Sequence, residues 1–324
     1  MWRPLRLIGE RYRAGLCHKR LAQGNTIQAA NRLSQAALPT DPFPKAHSCR
    51  GTLAVSFLQI AYHCGRYSVS VRKSSDIGEN TTPHTHDMVT KWVCEQEDHD
   101  RVLDIPSGEG AFTERCLSNG WKVISADCEP LCAVPGATFS QVDMNRPLPY
   151  ADNAYDAIVC IDGIEHIERP FDFVEQCART LRPGGSFVVT TPNISSLRSR
   201  WRWLLTGFHN KCRSPLDEAN PNPLHHINML SFHKLRYMLH RAGFTVTKIG
   251  TNRIKPISLA YAWLMPFAYL ATWWTLRTAE KDPEQRLRNR EITRQMFSRE
   301  ILFGETMIIM ARNDKKTFAA KIAA

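Results

Sequence analysis

The chain has 324 residues, 43% of them hydrophobic and 23% charged, with 42 Lys+Arg against 31 Asp+Glu for a formal net charge of +11. That composition is globular and excludes wholesale disorder, a collagen-like rod and a polytopic membrane protein, and the length fits one large domain with additions or two small ones. The ten cysteines are spread from Cys17 to Cys212 with no C-x-x-C pair, and no signal-peptide pattern precedes them, so they read as buried or free thiols of a reducing cytoplasm rather than a disulfide scaffold.

Charge divides the chain. Residues 1–50 carry 9 basic and 2 acidic residues, residues 101–200 carry 9 and 13, and residues 201–300 carry 16 and 7. An acidic centre between basic flanks is a poor phosphate platform and a better site for a cationic ligand, so nucleic acid is not an expected partner. Residues 1–82 read as a basic N-terminal extension, peripheral to the fold; a transit peptide shares the composition of its first fifty residues. Within the extension, 51–62 (GTLAVSFLQIAY) is apolar but too short to span a bilayer.

From residue 100 the pattern alternates. RVLDI (101–105) is a strand stopped by Pro106-Ser107-Gly108-Glu109-Gly110, and AFTERCLSNG (111–120) is a helix closed by Gly120. WKVISAD (121–127), TFSQVD (138–143) and YDAIVCID (155–162) are strands, each ending in an acid. FDFVEQCARTL (171–181) is a helix stopped by Pro183-Gly184-Gly185, and SFVVTTP (186–192) is a fifth strand. LSFHKLRYMLHRAG (230–243) is an amphipathic helix, FTVTKIG (244–250) a sixth strand, and ILFGETMIIMAR (301–312) a seventh. Strands alternating with helices predict an open, mostly parallel α/β sheet. Such sheets bind ligands outside the carboxyl ends of their strands, at the switch in strand order. Asp104, Asp127 and Asp143 sit at or just after three of those ends, with a glycine turn behind the first.

The glycine turn fits the dinucleotide fingerprint only at Gly108 and Gly110, since Thr113 stands at its third position, and an Asp104 carboxylate adds nothing to a pyrophosphate site. Acids that suit an amine, a ribose and an adenine, in that order, match S-adenosylmethionine. VLDIPSGEGAFTERCLSNGWKVISAD, YDAIVCIDGIEHIERP, LRPGGSFVVTTPN and HRAGF resemble, in order and spacing, the class I S-adenosylmethionine-dependent methyltransferases of the type 11/23-like kind. The departure is Pro106, where the family's D-x-G-x-G-x-G motif has its first glycine.

The resemblance implies a Rossmann-like seven-stranded sheet with helices on both faces, its last strand antiparallel between the fifth and sixth. It places the methyltransferase domain at 83–252 and 301–312. It implies that Asp104, Gly108 and Gly110 hold the methionine end and Asp127 the ribose hydroxyls. Asp143 and the Met144 backbone would meet the adenine, and Ile161 and Asp162 would form the floor beneath the methyl group. Helix or turn capping is the alternative role for Asp104 and Asp127. Methyl transfer needs an aligned nucleophile and a proton acceptor. His166, after the fourth strand, is the candidate base; the alternative is that Glu165 and His166 orient the loop. His225 and His226, in the polar segment 214–228, are candidates to cover the site. No metal is expected: His84, His86 and His99 lack zinc-site spacing, and Cys128 and Cys132 are weighed the same way.

The expected activity is S-adenosylmethionine-dependent methylation of a small-molecule or lipid-linked acceptor, at oxygen. The alternatives are a nicotinamide-dependent oxidoreductase and a non-catalytic membrane- or nucleic-acid-binding protein. Residues 253–300 read as an apolar and basic insertion, and 313–324 as a tail. Within the insertion, 257–276 is charge-free over twenty residues, and Arg286, Arg290 and Arg294 recur at helical spacing. Both flanking strands belong to one sheet, so the segment cannot end across a bilayer. Pro266 permits a hairpin, and peripheral contact through 257–300 with the inner face of a membrane is expected. A buried helix pair or a dimer contact is the alternative for 257–276, and core packing is the alternative to ring or lipid contact for Trp201 and Trp203.

Overall fold

The computed structural model describes residues 77–96, 100–211, 216–220 and 222–314. The expectations for 1–76, His99 and the tail beyond 314 lie outside them. In chain order the elements are α1 (Thr85–Cys94), β1 (Arg101–Asp104), α2 (Ala111–Ser118), β2 (Lys122–Asp127), β3 (Thr138–Gln141) and β4 (Tyr155–Cys160). They continue with α3 (Pro170–Thr180), β5 (Leu181–Pro192), α4 (Leu197–Thr206), α5 (Phe232–Arg241) and β6 (Phe244–Gly250). The last are α6 (Pro256–Leu259), α7 (Met265–Ala279), α8 (Pro283–Met296), α9 (Arg299–Phe303) and β7 (Thr306–Asn313).

The seven strands lie in the order β3-β2-β1-β4-β5-β7-β6, with β7 antiparallel to both neighbours. Alternation along each strand splits the core into two layers. Leu103, Ile158, Phe187, Val189 and Ile309 join α3 and α5 through Phe173, Val174 and Leu235. Their neighbours Val102, Ala157, Val159, Val188 and Ile308 join α1 and α2 through Val89, Trp92 and Phe112. Strand order reverses between β1 and β4, where Asp104 pairs in register with Val159. That places the end of β1, and the residues just past β4, side by side at the carboxyl edge.

Residues just ahead of the domain are tied to it: Glu79 and Asp87 pair with Arg115 of α2, and Gly78 and Asn80 both donate to Glu109. Three local features differ from the sequence reading. Pro183-Gly184-Gly185 does not separate helix from strand: β5 runs from Leu181, which pairs with Tyr155. Residues 301–303 are helical, in α9, where Ser298 accepts from the Ile301 amide as N-cap; the strand begins at Thr306. Pro266, expected to permit a hairpin, stands in the first turn of α7, where its missing N–H costs nothing.

The insertion between β6 and β7 is tied at its base. Arg253 and Lys255 both donate to Glu305, at 2.6 and 2.7 Å. Burial works against charge on Glu305, but these bonds, with Lys211 nearby, hold its carboxyl down to about 2.

Candidate active site

Asp104 ends β1 at 1% exposure, because a strand buried on both faces carries its last side chain inside with it. The Thr113 hydroxyl donates to it at 2.7 Å, and the Thr113 amide also bonds it, so the carboxylate caps the first turn of α2. Capping is therefore one role of Asp104. Burial pushes its pKa up to about 7 against those two bonds, and the nearby Asp127 adds to the rise. A carboxyl held near neutrality ionises readily if a cation arrives beside it.

The turn between β1 and α2 has two glycines in the left-handed region, Gly108 at φ +52° and Gly110 at φ +95°, and they face different surroundings. A Cβ on Gly108 would meet nothing within 4 Å. A Cβ on Gly110 would lie 2.6 Å from Val134 Cγ2 and 2.9 Å from Cys132 Sγ, because the loop after β2 folds onto it and the Ala133 amide donates to the Glu109 carbonyl. Gly108 is thus the position open to a ligand, and Gly110 is demanded by the protein's own packing. Pro106 is accommodated from the opposite side: a Cβ on Gly163 would collide with the Pro106 ring. The motif has lost one glycine and depends on another, after β4.

Asp127, at the end of β2, accepts from the Gly108 amide at 2.9 Å through Oδ2 and from the Glu129 amide at 3.3 Å through Oδ1. The Cys128 thiol also donates to Oδ1, at 3.4 Å; Asp127 therefore pins the glycine turn, and Oδ2 keeps a lone pair for a further donor. Asp143 lies one strand over and is exposed; it accepts from the Asn145 amide and pairs with Arg146. Met144 beside it packs partly buried against the core. Ile161 is in the core layer with Phe112. Asp162 has φ +45°; its amide donates to the Thr190 hydroxyl, which donates in turn to Asp162 Oδ1 at 2.6 Å.

Glu165 and His166 form one turn of 3-10 helix past β4. The segment around 222–228 folds over it. The Asn228 amide donates to the Glu165 carbonyl, and the Asn228 side chain to the Ile167 carbonyl. His166 Nδ1 lies 3.1 Å from the His225 carbonyl. A carbonyl only accepts, so Nδ1 carries the proton and Nε2 is left as the basic nitrogen. Burial lowers the His166 pKa, against the His225 carbonyl and Asp162, which keeps the ring neutral and able to take a proton. His226 stacks edge-on to it at 4.8 Å. Its own pKa is lowered to about 4, first by burial and then by the neighbouring His166 ring, if protonated, and Lys211.

Glu165 is fully buried, and neither carboxyl oxygen has a hydrogen bond of good geometry, although the Thr191 hydroxyl stands beside it. Burial, then Asp162, push its pKa well above the ordinary carboxylate range, which favours its neutral form. Ligand atoms of Glu165, His166 and His226 lie within 4.8 Å of one another, a nitrogen-rich donor set of a kind that suits zinc. The sequence reading named all three residues but not this grouping, and it missed the Thr113, Thr190 and Gly163 contacts. The His84 and His86 alternative does not form a site: His84 is exposed and bonds Asp87, while His86 is buried beside Glu79. Cys94, Cys116, Cys128, Cys132, Cys160 and Cys177 are free thiols.

Strand-end carboxylates, an open glycine and a histidine therefore surround the switch point of a 3-2-1-4-5-7-6 sheet. The family model described as a methyltransferase domain matches residues 84–249. The chain belongs to that methyltransferase family. It is similar to a probable S-adenosylmethionine-dependent methyltransferase of Mycolicibacterium smegmatis, 30% identical over 173 residues that cover 52% of this chain and 61% of that one. It is also similar to a ubiquinone biosynthesis O-methyltransferase of Cereibacter sphaeroides, 25% identical over 153 residues, covering 38% and 62%. The chain thus spans about three-fifths of the length of these curated relatives. Among solved structures, a SAM dependent methyltransferase from Archaeoglobus fulgidus matches at 19% identity and a TM-score of 0.44, covering 70% of this chain and 94% of that one.

Proposed function

We propose that this methyltransferase uses S-adenosylmethionine to methylate a hydroxyl of a small-molecule or lipid-linked acceptor. The observation that carries the reading is the shared anchoring at the switch point: Asp127 holds the amide of Gly108, the one glycine of the turn whose missing Cβ leaves open space. The residues fit the cofactor. Asp104, at a pKa of about 7, would pair with an ammonium. Asp127 would accept from a ribose hydroxyl through Oδ2, Asp143 and the Met144 backbone would meet the adenine, and Ile161 and Asp162 would bound the methyl end. When bound, S-adenosylmethionine supplies an electrophilic methyl on a sulfonium.

The chain's own task is to align an acceptor and take its proton. His166, with its Nδ1–H held on the His225 carbonyl, would present Nε2 to the acceptor hydroxyl and take the proton that hydroxyl releases. Burial disfavours charge on both Glu165 and His226 beside that imidazole. Two of the relatives' features support a hydroxyl on a lipid-linked molecule: the names of the ubiquinone biosynthesis O-methyltransferases, and their alignment to this chain. Binding titrations with S-adenosylhomocysteine and with NADH separate this reading from a nicotinamide oxidoreductase, for which NADH alone would bind.

A further inference from the structure

β5 and β6 are both antiparallel to β7, so the insertion between β6 and β7 leaves and re-enters the sheet at the carboxyl edge, where the cofactor residues lie. Its longest helix, α7, has fifteen residues with the single charge Arg277, and none of its described side chains is buried. Phe267 is 67% exposed, Leu270 61% and Trp274 64%. Trp201 of α4 meets Trp263 of the insertion at 5.7 Å, and Trp203, Leu204 and Leu205 extend the exposed apolar ground along α4. An apolar surface of this extent is costly in water and marks a contact surface.

Beside it, α7 and α8 flank a cleft of about 770 Å³. Tyr269 and Trp273 line it from α7, Arg277, Arg286, Arg290 and Arg294 line it as well, and Arg286 Nε donates to the Glu280 carbonyl. Arg277 stacks on Trp273 at 5.2 Å. The described ion pairs of α8, Arg288 with Glu284 and Arg236 with Glu291, involve no residue of the cleft, whose lining has no carboxylate. Arginines at spacings of four on one helix face repel one another unless an anion lies between them. Guanidinium forks match phosphate, and aromatic side chains match the headgroup boundary.

We propose that the α7–α8 cleft binds the phosphate of an anionic phospholipid and that α7 lies in the headgroup boundary, docking the enzyme on a membrane with its carboxyl edge toward the lipid. Charge complementarity selects this occupant over a second copy of the basic chain. At 1.5 Å per residue α7 rises about 22 Å, short of a hydrocarbon core of roughly 30 Å, and no described helix is long and apolar enough to cross a membrane. The helix therefore rests on the surface. Docking gives a lipid-linked acceptor a path to the site, but does not depend on the methyltransferase reading.

The test is flotation of the full chain with vesicles of phosphatidylcholine alone and of phosphatidylcholine with phosphatidylglycerol. The intact protein floats with the anionic vesicles at low salt, sinks as salt rises, and stays down with the neutral ones. Arg290→Glu/Arg294→Glu weakens binding at least about tenfold, whereas Lys91→Glu/Lys122→Glu, an equal charge change elsewhere, weakens it far less. Phe267→Ser/Trp274→Ser abolishes flotation with thermal unfolding unchanged. If the charge reversal does not fold, Arg290→Gln/Arg294→Gln gives the same ranking at smaller size. The proposal is overturned if the intact chain stays down with anionic vesicles, if both charge reversals act equally, or if light scattering shows a dimer that the cleft variant dissociates. Flotation without S-adenosylhomocysteine binding would leave docking in place and remove the methyltransferase reading.

Discussion

At the carboxyl edge of the sheet, Asp104 and Glu165 are almost wholly buried, while on α7 Phe267, Leu270 and Trp274 are each more than half exposed. The two regions depart from the usual partition in opposite directions. Elsewhere the partition holds: Phe173, Phe187 and Phe244 fill the core, and the surface carboxylates of α3, Asp172 and Glu175, pair with Arg169 and Arg241. Burying an unpaired carboxyl or exposing an aromatic helix each costs stability. A fold retains both when the buried acids set proton affinities and the exposed rings wait for a partner. The contrast ties chemistry to the strand ends and attachment to the insertion above them.

The largest expected effect breaks the polar half. His166→Ala should lower turnover about a hundredfold or more, with S-adenosylhomocysteine affinity held within about threefold by calorimetry. A fall in both by the same factor would make His166 an organiser of the loop.

Next is the packing that lets Pro106 replace a glycine. Gly163→Ala would drive a methyl into the Pro106 ring and should cost about 1–3 kcal/mol in urea unfolding. Pro106→Ala in the same chain should return part of that loss, because the two substitutions act on one contact. Additive losses would show that the contact is slack.

Asp104 gives a pH dependence. Its folded pKa, about 7, is raised above the unfolded value, so the folded state holds the extra proton between roughly pH 4 and 7 and stability falls as pH rises through that window. A cationic ligand needs the ionised form. Affinity for S-adenosylhomocysteine should therefore drop about tenfold per unit as pH falls below 7, and Asp104→Asn should flatten the profile. An unchanged slope in that variant would assign the titration to another group.

The smallest expected effect belongs to the apolar half. Phe267→Ser/Trp274→Ser should shift thermal stability in solution by no more than about 0.5 kcal/mol per site, where Phe187→Ala should cost about 3–5 kcal/mol. A large loss on α7 would mean its rings pack within the protein after all.

Much of the polar edge was legible because strands that end in an acid and meet a glycine turn announce their own carboxyl ends. Asp104 and Asp127 stand at the ends of β1 and β2 as that pattern predicts, and the antiparallel last strand followed from the family resemblance. Glu165 was not legible as a buried, unpartnered acid, because its burial depends on a segment from beyond residue 220 folding over the 3-10 turn. The same crossing brings His226 to His166. Residues 301–303 misled because a three-residue apolar run fits strand and helix equally; Ser298, the cap three residues ahead of Ile301, was the signal available. On α7 the apolar run was plain, but its exposure was not, since hydropathy alone cannot tell a helix that packs inward from one left outside.

The most direct test of the central claim, that the switch-point carboxylates form an S-adenosylmethionine site, is calorimetric titration of S-adenosylhomocysteine into the intact chain and into Asp127→Ala, with NADH as the comparison ligand. S-adenosylhomocysteine should bind the intact chain, NADH should not, and the substitution should weaken binding about ten- to hundredfold, the loss of charge-assisted bonds of about 1.5–3 kcal/mol, with the fold unchanged by circular dichroism. Equal affinity in the folded Asp127→Ala chain, or binding of NADH in place of S-adenosylhomocysteine, would contradict the account.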